Sequence, residues 1–119
     1  AGASHIRTMK QVAEHVKIKD EVIMYAAKLC EATRSAETVE QGASPRAVLA
    51  LVQMAKASAL MDGRDYVIPQ DISSVFIDVC AHRLVLTARA RIRKETEADV
   101  LKKILSDVKP PAVAEGKAE

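Results

Sequence analysis

Aromatic side chains are scarce in this chain of 119 residues, which contains two tyrosines, one phenylalanine and no tryptophan. Because 49% of the residues are nevertheless hydrophobic, the core must be built mainly from aliphatic side chains. Four glycines and four prolines are too few for the many tight turns of a β-sandwich or a β-barrel. These shortages favour a mostly helical fold, and the length allows a single domain.

Cysteines are few, net charge is low and long apolar runs are absent. Cys30 and Cys80 lie in apolar helical patterns, which predicts buried free thiols in a reducing, intracellular setting. A net charge of +2 does not indicate nucleic-acid binding by itself, because phosphate binding needs a concentrated basic face. No apolar run approaches the roughly 20 residues of a membrane span, so we expect no membrane partner and a cytoplasmic location.

Apolar residues at three- and four-residue spacings predict an all-α fold, a small bundle of four main helices plus a short leading helix. Asp20 is the expected N-cap of the first main helix, and Ser44 followed by Pro45 is a strong start signal for the second. Thr96 and Asp99 have the spacing of a capping box before the last helix. The leading helix is predicted at residues 9–15, and the main helices at residues 20–34, 45–61, 69–83 and 97–109.

The helix predicted at residues 45–61 is apolar nearly all round, which predicts a central position with burial on most sides. Residues 35–43 are predicted to form a loop, and residues 84–93 an extended, partly exposed segment. Residues 1–8 are expected to be disordered or a cloning remnant, and residues 110–119 a disordered tail. The single folded domain is therefore predicted at residues 9–109.

Motifs for catalysis are missing from the chain. It contains neither the Gly-x-x-x-x-Gly-Lys-Ser/Thr phosphate loop nor the Gly-x-Gly-x-x-Gly pattern. Cys80 and His82 are two residues apart on a predicted helix, so they point to different sides and no metal site is predicted. We therefore expect the isolated chain to catalyse nothing.

Arg46 is the one residue whose charge conflicts with its predicted position in a helix. It occupies the second position of a helix, where the positive end of the helix dipole disfavours a cation by up to roughly 1 kcal/mol. A bound anion would resolve the conflict, because the first-turn N–H groups and the guanidinium would converge on one phosphate. Alternatively, the side chain reaches sideways to a carboxylate or extends into solvent.

Several short motifs occur in an order and spacing that match a known family. They are residues 32–34 (ATR), 42–47 (GASPRA), 63–67 (GRDYV), 69–71 (PQD), 81–84 (AHRL) and 100–105 (VLKKIL). With this ordered set, the chain from about Met9 to Pro110 resembles the C-terminal lid of MoxR-family AAA+ ATPases. The resemblance implies an AAA+ lid type of helical bundle.

The resemblance also implies a role for Arg46. In that family the arginine of the Ser-Pro-Arg motif is the second sensor, directed at the γ-phosphate of ATP held by the preceding nucleotide-binding domain. Ser44, Pro45 and Ala47 would then lie near the nucleotide. The implied parent is an ATP-driven, ring-forming, chaperone-like machine that uses ATP and Mg and hydrolyses ATP to ADP and phosphate.

Partners follow from the same resemblance. They are the upstream nucleotide-binding domain, neighbouring ring subunits and, in some systems, a von Willebrand A-domain protein. The phosphate loop would lie upstream, so the chain looks like an excised lid, expected to be a monomer with no bound cofactor. One departure is Ile68, which stands where the family often has a capping Thr; its loss is expected to weaken the cap by about 1 kcal/mol.

A histone-like nucleic-acid-binding module is the alternative. An Ala-rich helix, a short strand and a Pro-initiated helix suggest it, as does a basic stretch of Arg83, Arg89, Arg91, Arg93 and Lys94. Against it, three acidic residues follow at once and no aromatic side chains are interleaved for stacking. A charged strand edge that discourages pairing would explain the arginines of residues 89–93 more simply.

Overall fold

The computed structural model describes residues 16–111. The predictions for residues 1–8, for the short helix at 9–15 and for the tail from residue 112 onward lie outside the described residues. Within residues 16–111 the chain forms five α-helices and one two-stranded sheet, which confirms the predicted mostly helical fold. The elements are α1 (Asp20–Ser35), β1 (Val39–Gln41), α2 (Pro45–Met61), α3 (Pro69–Cys80), a 3₁₀ turn (Ala81–Arg83), β2 (Val85–Leu86), α4 (Ala88–Ile92) and α5 (Glu97–Asp107).

Helix α1 includes Asp20, the residue predicted as its N-cap. Lys19, not Asp20, is the N-cap, and Asp20 and Glu21 occupy the first turn, where their charge suits the positive end of the helix dipole. The N-cap prediction for Asp20 is therefore wrong: the acid acts through the dipole and not as a side-chain cap. The inward face is a single stripe at helical spacing, made of Val22, Tyr25, Ala26, Leu29, Cys30 and Thr33.

Helix α2 is fully buried along one face and partly buried beside it, at Val48, Val52 and Leu60. Its buried residues are Ala47, Leu51, Ala55 and Ala59, whereas Leu49 is 68% exposed and Met61 is 81% exposed. The prediction that this helix is buried on most sides is therefore wrong. The reason is geometric, because α1 and α3 both pack on the alanine side, where small side chains allow close approach, and leave the opposite side open.

Helix α2 ends in a turn that contains Gly63. Gly63 has a φ of +79°, a left-handed conformation that glycine adopts without strain. The Gly63 N–H donates to the Leu60 carbonyl at 2.9 Å, and the Arg64 N–H donates to the Ala59 carbonyl at 2.9 Å. This pair of bonds is a Schellman motif, which satisfies carbonyls that the helix leaves without partners.

The segments predicted as loop and extended chain contain regular structure. Residues 35–43 include β1, which pairs antiparallel with β2, and residues 84–93 include both β2 and helix α4. The Thr87 hydroxyl caps α4 by accepting a hydrogen bond from the Ala90 N–H at 3.1 Å. The extended prediction for residues 84–93 is therefore correct only at β2, because a five-residue helix is too short to show helical periodicity.

Helix α5 begins with the predicted capping box. The Thr96 hydroxyl accepts from the Asp99 N–H at 3.1 Å, and the Asp99 carboxylate accepts from the Thr96 N–H at 3.2 Å. The helix ends at Asp107, two residues before the predicted end. It closes the domain by packing on α1 and α3, around a core whose largest fully buried side chains are Phe76, Leu29, Leu51, Ile72 and Leu101.

Candidate functional site

Arg46 lies at the N-terminus of α2 and extends into solvent. Ser44 is the N-cap, Pro45 is the first helical residue and Arg46 the second; all three are exposed. Among residues 16–111, the Arg46 side chain makes neither a hydrogen bond nor an ion pair. Within the described residues, the sideways contact with a carboxylate is therefore not formed. Ala47 differs from these three because its side chain is fully buried in the core.

The first turn of α2 retains an uncompensated positive character. It contains no acidic residue, and the Ser44 hydroxyl makes no capping hydrogen bond. A first-turn carboxylate and a side-chain N-cap usually stabilise the free N–H groups at this end of a helix, and α2 has neither. A guanidinium added at the same end makes it a place where an anion would be stabilised.

The C-terminal turn of α1 holds the backbone just before this site. Thr33 is fully buried, and its hydroxyl accepts a hydrogen bond from the Ala43 N–H at 2.9 Å while donating to the Cys30 carbonyl at 2.6 Å. The Arg34 guanidinium donates to the Ala43 carbonyl at 2.8 Å. Both backbone groups of Ala43 are therefore fixed by adjacent side chains of α1. We call Thr33, Arg34, Gly42 and Ala43 the α1 clamp.

Gly42 belongs to the α1 clamp because two backbones meet there. A Cβ at this position would lie 2.7 Å from the Cα and N of Arg34 and from the carbonyl carbon of Thr33. All of these are backbone atoms, which cannot move aside as a flexible side chain could. A glycine is required for this close approach, and the approach sets where α2 begins.

A second cluster, which the sequence reasoning missed, lies at the other end of α2. The Arg64 guanidinium donates to both oxygens of Asp71, at 2.7 and 2.8 Å, and also to the Asp62 carboxylate at 2.9 Å. Asp71 is 3% exposed. Its hydrogen bond with Arg64 is the main cause that raises the pKa of the guanidinium above its ordinary value.

The Arg64–Asp71 pair joins the end of α2 to the start of α3. Asp71 also accepts a hydrogen bond from the Ile68 N–H at 2.9 Å, so Ile68 has its backbone capped although it has no side-chain acceptor. The sequence analysis singled out Asp71 only as the last residue of the motif at residues 69–71. The signal that could have revealed the pair is an arginine after one helix and a carboxylate in the first turn of the next.

The two cysteines lie together in the core, both free and fully buried. The neighbouring Cys30 thiol and burial in the core together raise the pKa of Cys80 above its ordinary value. Among residues 16–111, no three His, Cys, Asp or Glu side chains are grouped as metal ligands would be. In the same residues, no helix is both long enough and apolar enough to cross a membrane.

The arginines of residues 89–93 lie on a short helix and not on the strand edge that the sequence suggested. Arg89 and Arg91 lie on helix α4 and Arg93 is its C-cap, so the explanation by a charged strand edge is wrong. All three side chains are exposed. Glu95 lies two residues beyond Arg93, which limits the basic face to a short helix.

Comparisons with known proteins agree on one family. The model of the AAA lid domain family matches residues 31–104, which contain the α1 clamp, Arg46 and the Arg64–Asp71 pair. Chaperone MoxR1 of Mycobacterium tuberculosis is 36% identical and is matched over 88% of this chain and 30% of its own. Protein MoxR of Methylorubrum extorquens is 38% identical over 61% of this chain and 22% of its own.

The fold has a solved counterpart as well. A crystal structure of a protein from Cytophaga hutchinsonii that is assigned as an ATPase matches 85% of this chain with a TM-score of 0.80 and 31% identity. The match covers 33% of that protein, so the chain spans about a third of the length of these relatives. The family match favours the lid over the histone-like alternative. The chain therefore belongs to the AAA lid domain family, as the C-terminal lid of a MoxR-family AAA+ ATPase.

Proposed function

We propose that Arg46 is the second sensor of the parent ATPase and contacts the γ-phosphate of ATP bound to the preceding nucleotide-binding domain. The observation that carries this proposal is an exposed arginine, without partners among residues 16–111, at a helix N-terminus that lacks any acid. A triphosphate would supply the missing negative charge. Ser44 and Pro45 would then lie closest to the nucleotide, with Ala47 behind them in the core.

The chemical contribution of Arg46 is electrostatic. Negative charge on the transferring phosphoryl group and the leaving oxygens must be stabilised during ATP hydrolysis, and a positioned guanidinium does so chiefly in the transition state. The α1 clamp fixes the start of α2 relative to α1. A change in the contact between Arg46 and phosphate would therefore move the helical domain as one body, and this couples hydrolysis to lid movement.

The parent would be a chaperone-like remodelling ATPase of the cytoplasm. The phosphate loop and the residues that hold Mg would come from the nucleotide-binding domain, and ATP and Mg would bind there. Neighbouring ring subunits and a von Willebrand A-domain protein are the proposed partners of the parent. The 119-residue chain has no phosphate loop, so by itself it would hold half a site, bind ATP weakly and hydrolyse none.

The test is ATP turnover by the parent carrying Arg46→Ala. We expect kcat to fall by roughly 100- to 1,000-fold, the range seen when one transition-state donor is lost, while the free energy of unfolding of the lid stays nearly unchanged. Arg91→Ala is the matched control, since Arg91 is an exposed arginine of another helix, and it should leave turnover intact. A destabilised fold with normal turnover would make Arg46 a structural residue.

A further inference from the structure

A groove lies between the C-terminal turn of α1 and one side of α5. Its volume is about 380 Å³, which falls within the range of roughly 300–1,000 Å³ that is typical of ligand pockets. Apolar side chains from both helices line it, namely Ala32, Ala36, Val100, Ile104 and Val108. Val100 and Ile104 belong to the hydrophobic core, so close packing holds the apolar floor in place. We call this feature the α1–α5 groove.

The charged side chains around the α1–α5 groove are mostly acidic. Four carboxylates and one ammonium group line it, from Glu37, Glu95, Asp99, Asp107 and Lys103. Among residues 16–111, none of these five side chains forms an ion pair. Asp99 is used locally, because its carboxylate caps the start of α5. The rim of the groove therefore has an excess of negative charge over an apolar floor.

Two helix C-termini add to the negative potential of the groove. Ser35, the last residue of α1, and Asp107, the last residue of α5, both line it. The final carbonyl groups of a helix carry the negative end of its dipole, which a basic residue in the last turn usually balances. The last turn of α5 contains no basic residue. Arg34, in the last turn of α1, donates to the Ala43 carbonyl and does not line the groove. A cation supplied from outside the domain would therefore be stabilised here.

A second cleft, of about 350 Å³, lies over the Arg64–Asp71 pair and lacks this combination. Its lining is mainly polar, with Ile68 as the one apolar residue. The carboxylates of Asp62 and Asp71 there already contact the Arg64 guanidinium. The α1–α5 groove instead joins apolar side chains to carboxylates that lack a cation among residues 16–111. Such a surface is complementary to a ligand that is both apolar and basic.

We propose that the α1–α5 groove binds a short basic segment of a protein chain, in which arginine or lysine stands beside aliphatic side chains. The aliphatic groups would cover Val100 and Ile104, and the cations would reach the carboxylates and the two helix C-termini. The apolar floor favours a peptide over a small polycation, because side chains that cover the floor exclude water and strengthen the charge contacts at the rim. The inference rests on the proposed remodelling function for its role, since it names the chemistry of a client segment.

An NMR titration of the isotope-labelled 119-residue chain tests the site, with a capped octapeptide of alternating arginine and leucine as the probe. We expect the amide shifts to be confined to residues of the groove, such as Thr38, Val100 and Ile104. The Kd should rise with salt concentration, because charges supply part of the affinity. A capped octapeptide of alternating glutamate and leucine should cause no shifts. The proposal is overturned if the arginine–leucine peptide causes no shifts at about 1 mM, or shifts centred elsewhere.

Two double variants with the same change of net charge test the role of the rim. In Glu37→Gln/Asp107→Asn, which removes two carboxylates of the groove, the Kd for the arginine–leucine peptide should rise about three- to tenfold. Glu21→Gln/Asp78→Asn is the control, since both carboxylates are exposed and neither lines the groove. Equal Kd values for the two variants would show that the peptide responds only to overall charge, and would overturn the proposal.

The same titration distinguishes other occupants of the groove. Spermidine that binds there as tightly as the peptide would assign the groove to a small polycation. An arginine–serine octapeptide of equal affinity would show that the apolar floor is not used. A tighter Kd after deletion of residues 112–119, which follow α5 closely, would assign the groove to the chain's own C-terminal segment. Each of these three results overturns the proposal.

The binding is measured without ATP, so its outcome is independent of the role of Arg46. If Arg46→Ala lowers turnover in the parent and the arginine–leucine peptide does not bind, only the inference about the groove fails. If the peptide binds in the groove and Arg46→Ala leaves turnover normal, only the sensor role fails.

Discussion

The hydroxyl of Thr33 accepts a hydrogen bond from the backbone N–H of Ala43 at 2.9 Å, in a place with no access to solvent. This single bond connects the last turns of α1 to the residue before the Ser44–Pro45 start of α2. The position of Arg46 therefore depends on a side chain thirteen residues away along the sequence. The site is built by two helices and not by one local motif.

Replacing Thr33 with Val tests this connection. The variant keeps the shape of the side chain but leaves the Ala43 N–H buried without an acceptor, which should lower the free energy of unfolding by about 1–3 kcal/mol. Thr33→Ser retains the hydroxyl and should lose less. Urea titration of both variants measures the difference, and equal values for Val and Ser would show that the hydrogen bond contributes little.

Two leucines of α2 provide a matched pair for the one-sided burial of that helix. Leu51 is fully buried and Leu49 is 68% exposed. Leu51→Ala should lower the free energy of unfolding by about 2–5 kcal/mol, as buried leucines do, and Leu49→Ala by less than about 0.5 kcal/mol. A Leu51→Ala loss below about 1 kcal/mol in urea would contradict the position of α2 in the core.

The Arg64–Asp71 pair is expected to act as a unit. Asp71→Asn leaves a largely buried guanidinium without its carboxylate and should cost about 3 kcal/mol of stability. The control is Asp62→Asn, since the Asp62 side chain is 66% exposed and such surface pairs contribute about 0–1 kcal/mol. In a double-mutant cycle, Arg64→Leu/Asp71→Leu should be less destabilised than the sum of the single changes; strict additivity would show that the two residues are not coupled.

Lys94 offers a stabilising change. It has a φ of 64° and follows α4 at the position where helices commonly place glycine, with its N–H bonded to the Arg91 carbonyl at 2.9 Å. Lys94→Gly should raise the free energy of unfolding by about 0.4–1 kcal/mol, because glycine adopts this conformation without strain.

Gly63 supplies the reverse experiment. Gly63→Ala should destabilise by about 1 kcal/mol through its φ of +79° alone, because no atom lies within 4 Å of an added Cβ. Thermal unfolding of both variants measures the two shifts. The Tm should rise for Lys94→Gly and fall for Gly63→Ala. If both Tm values moved in the same direction, backbone conformation would not be the common cause of the two changes.

The sequence by itself determined the features that depend on residues three or four apart. Ser44 and Pro45 mark the start of α2, Gly63 marks its end, and Thr96 with Asp99 begins α5, because each signal acts within one helical turn. Arg46 could be singled out in the same way, since its conflict with the helix dipole is also local.

Only the tertiary structure decided which side of α2 is buried, why Gly42 must be a glycine and where Asp71 finds its partner. These outcomes depend on helices that meet in space at distant points of the chain. An apolar pattern that runs nearly all round α2 carries no information about which neighbours cover it. The packing of α1 and α3 against the alanine side selects the buried face, and the same choice leaves Leu49, Met54 and Met61 in solvent.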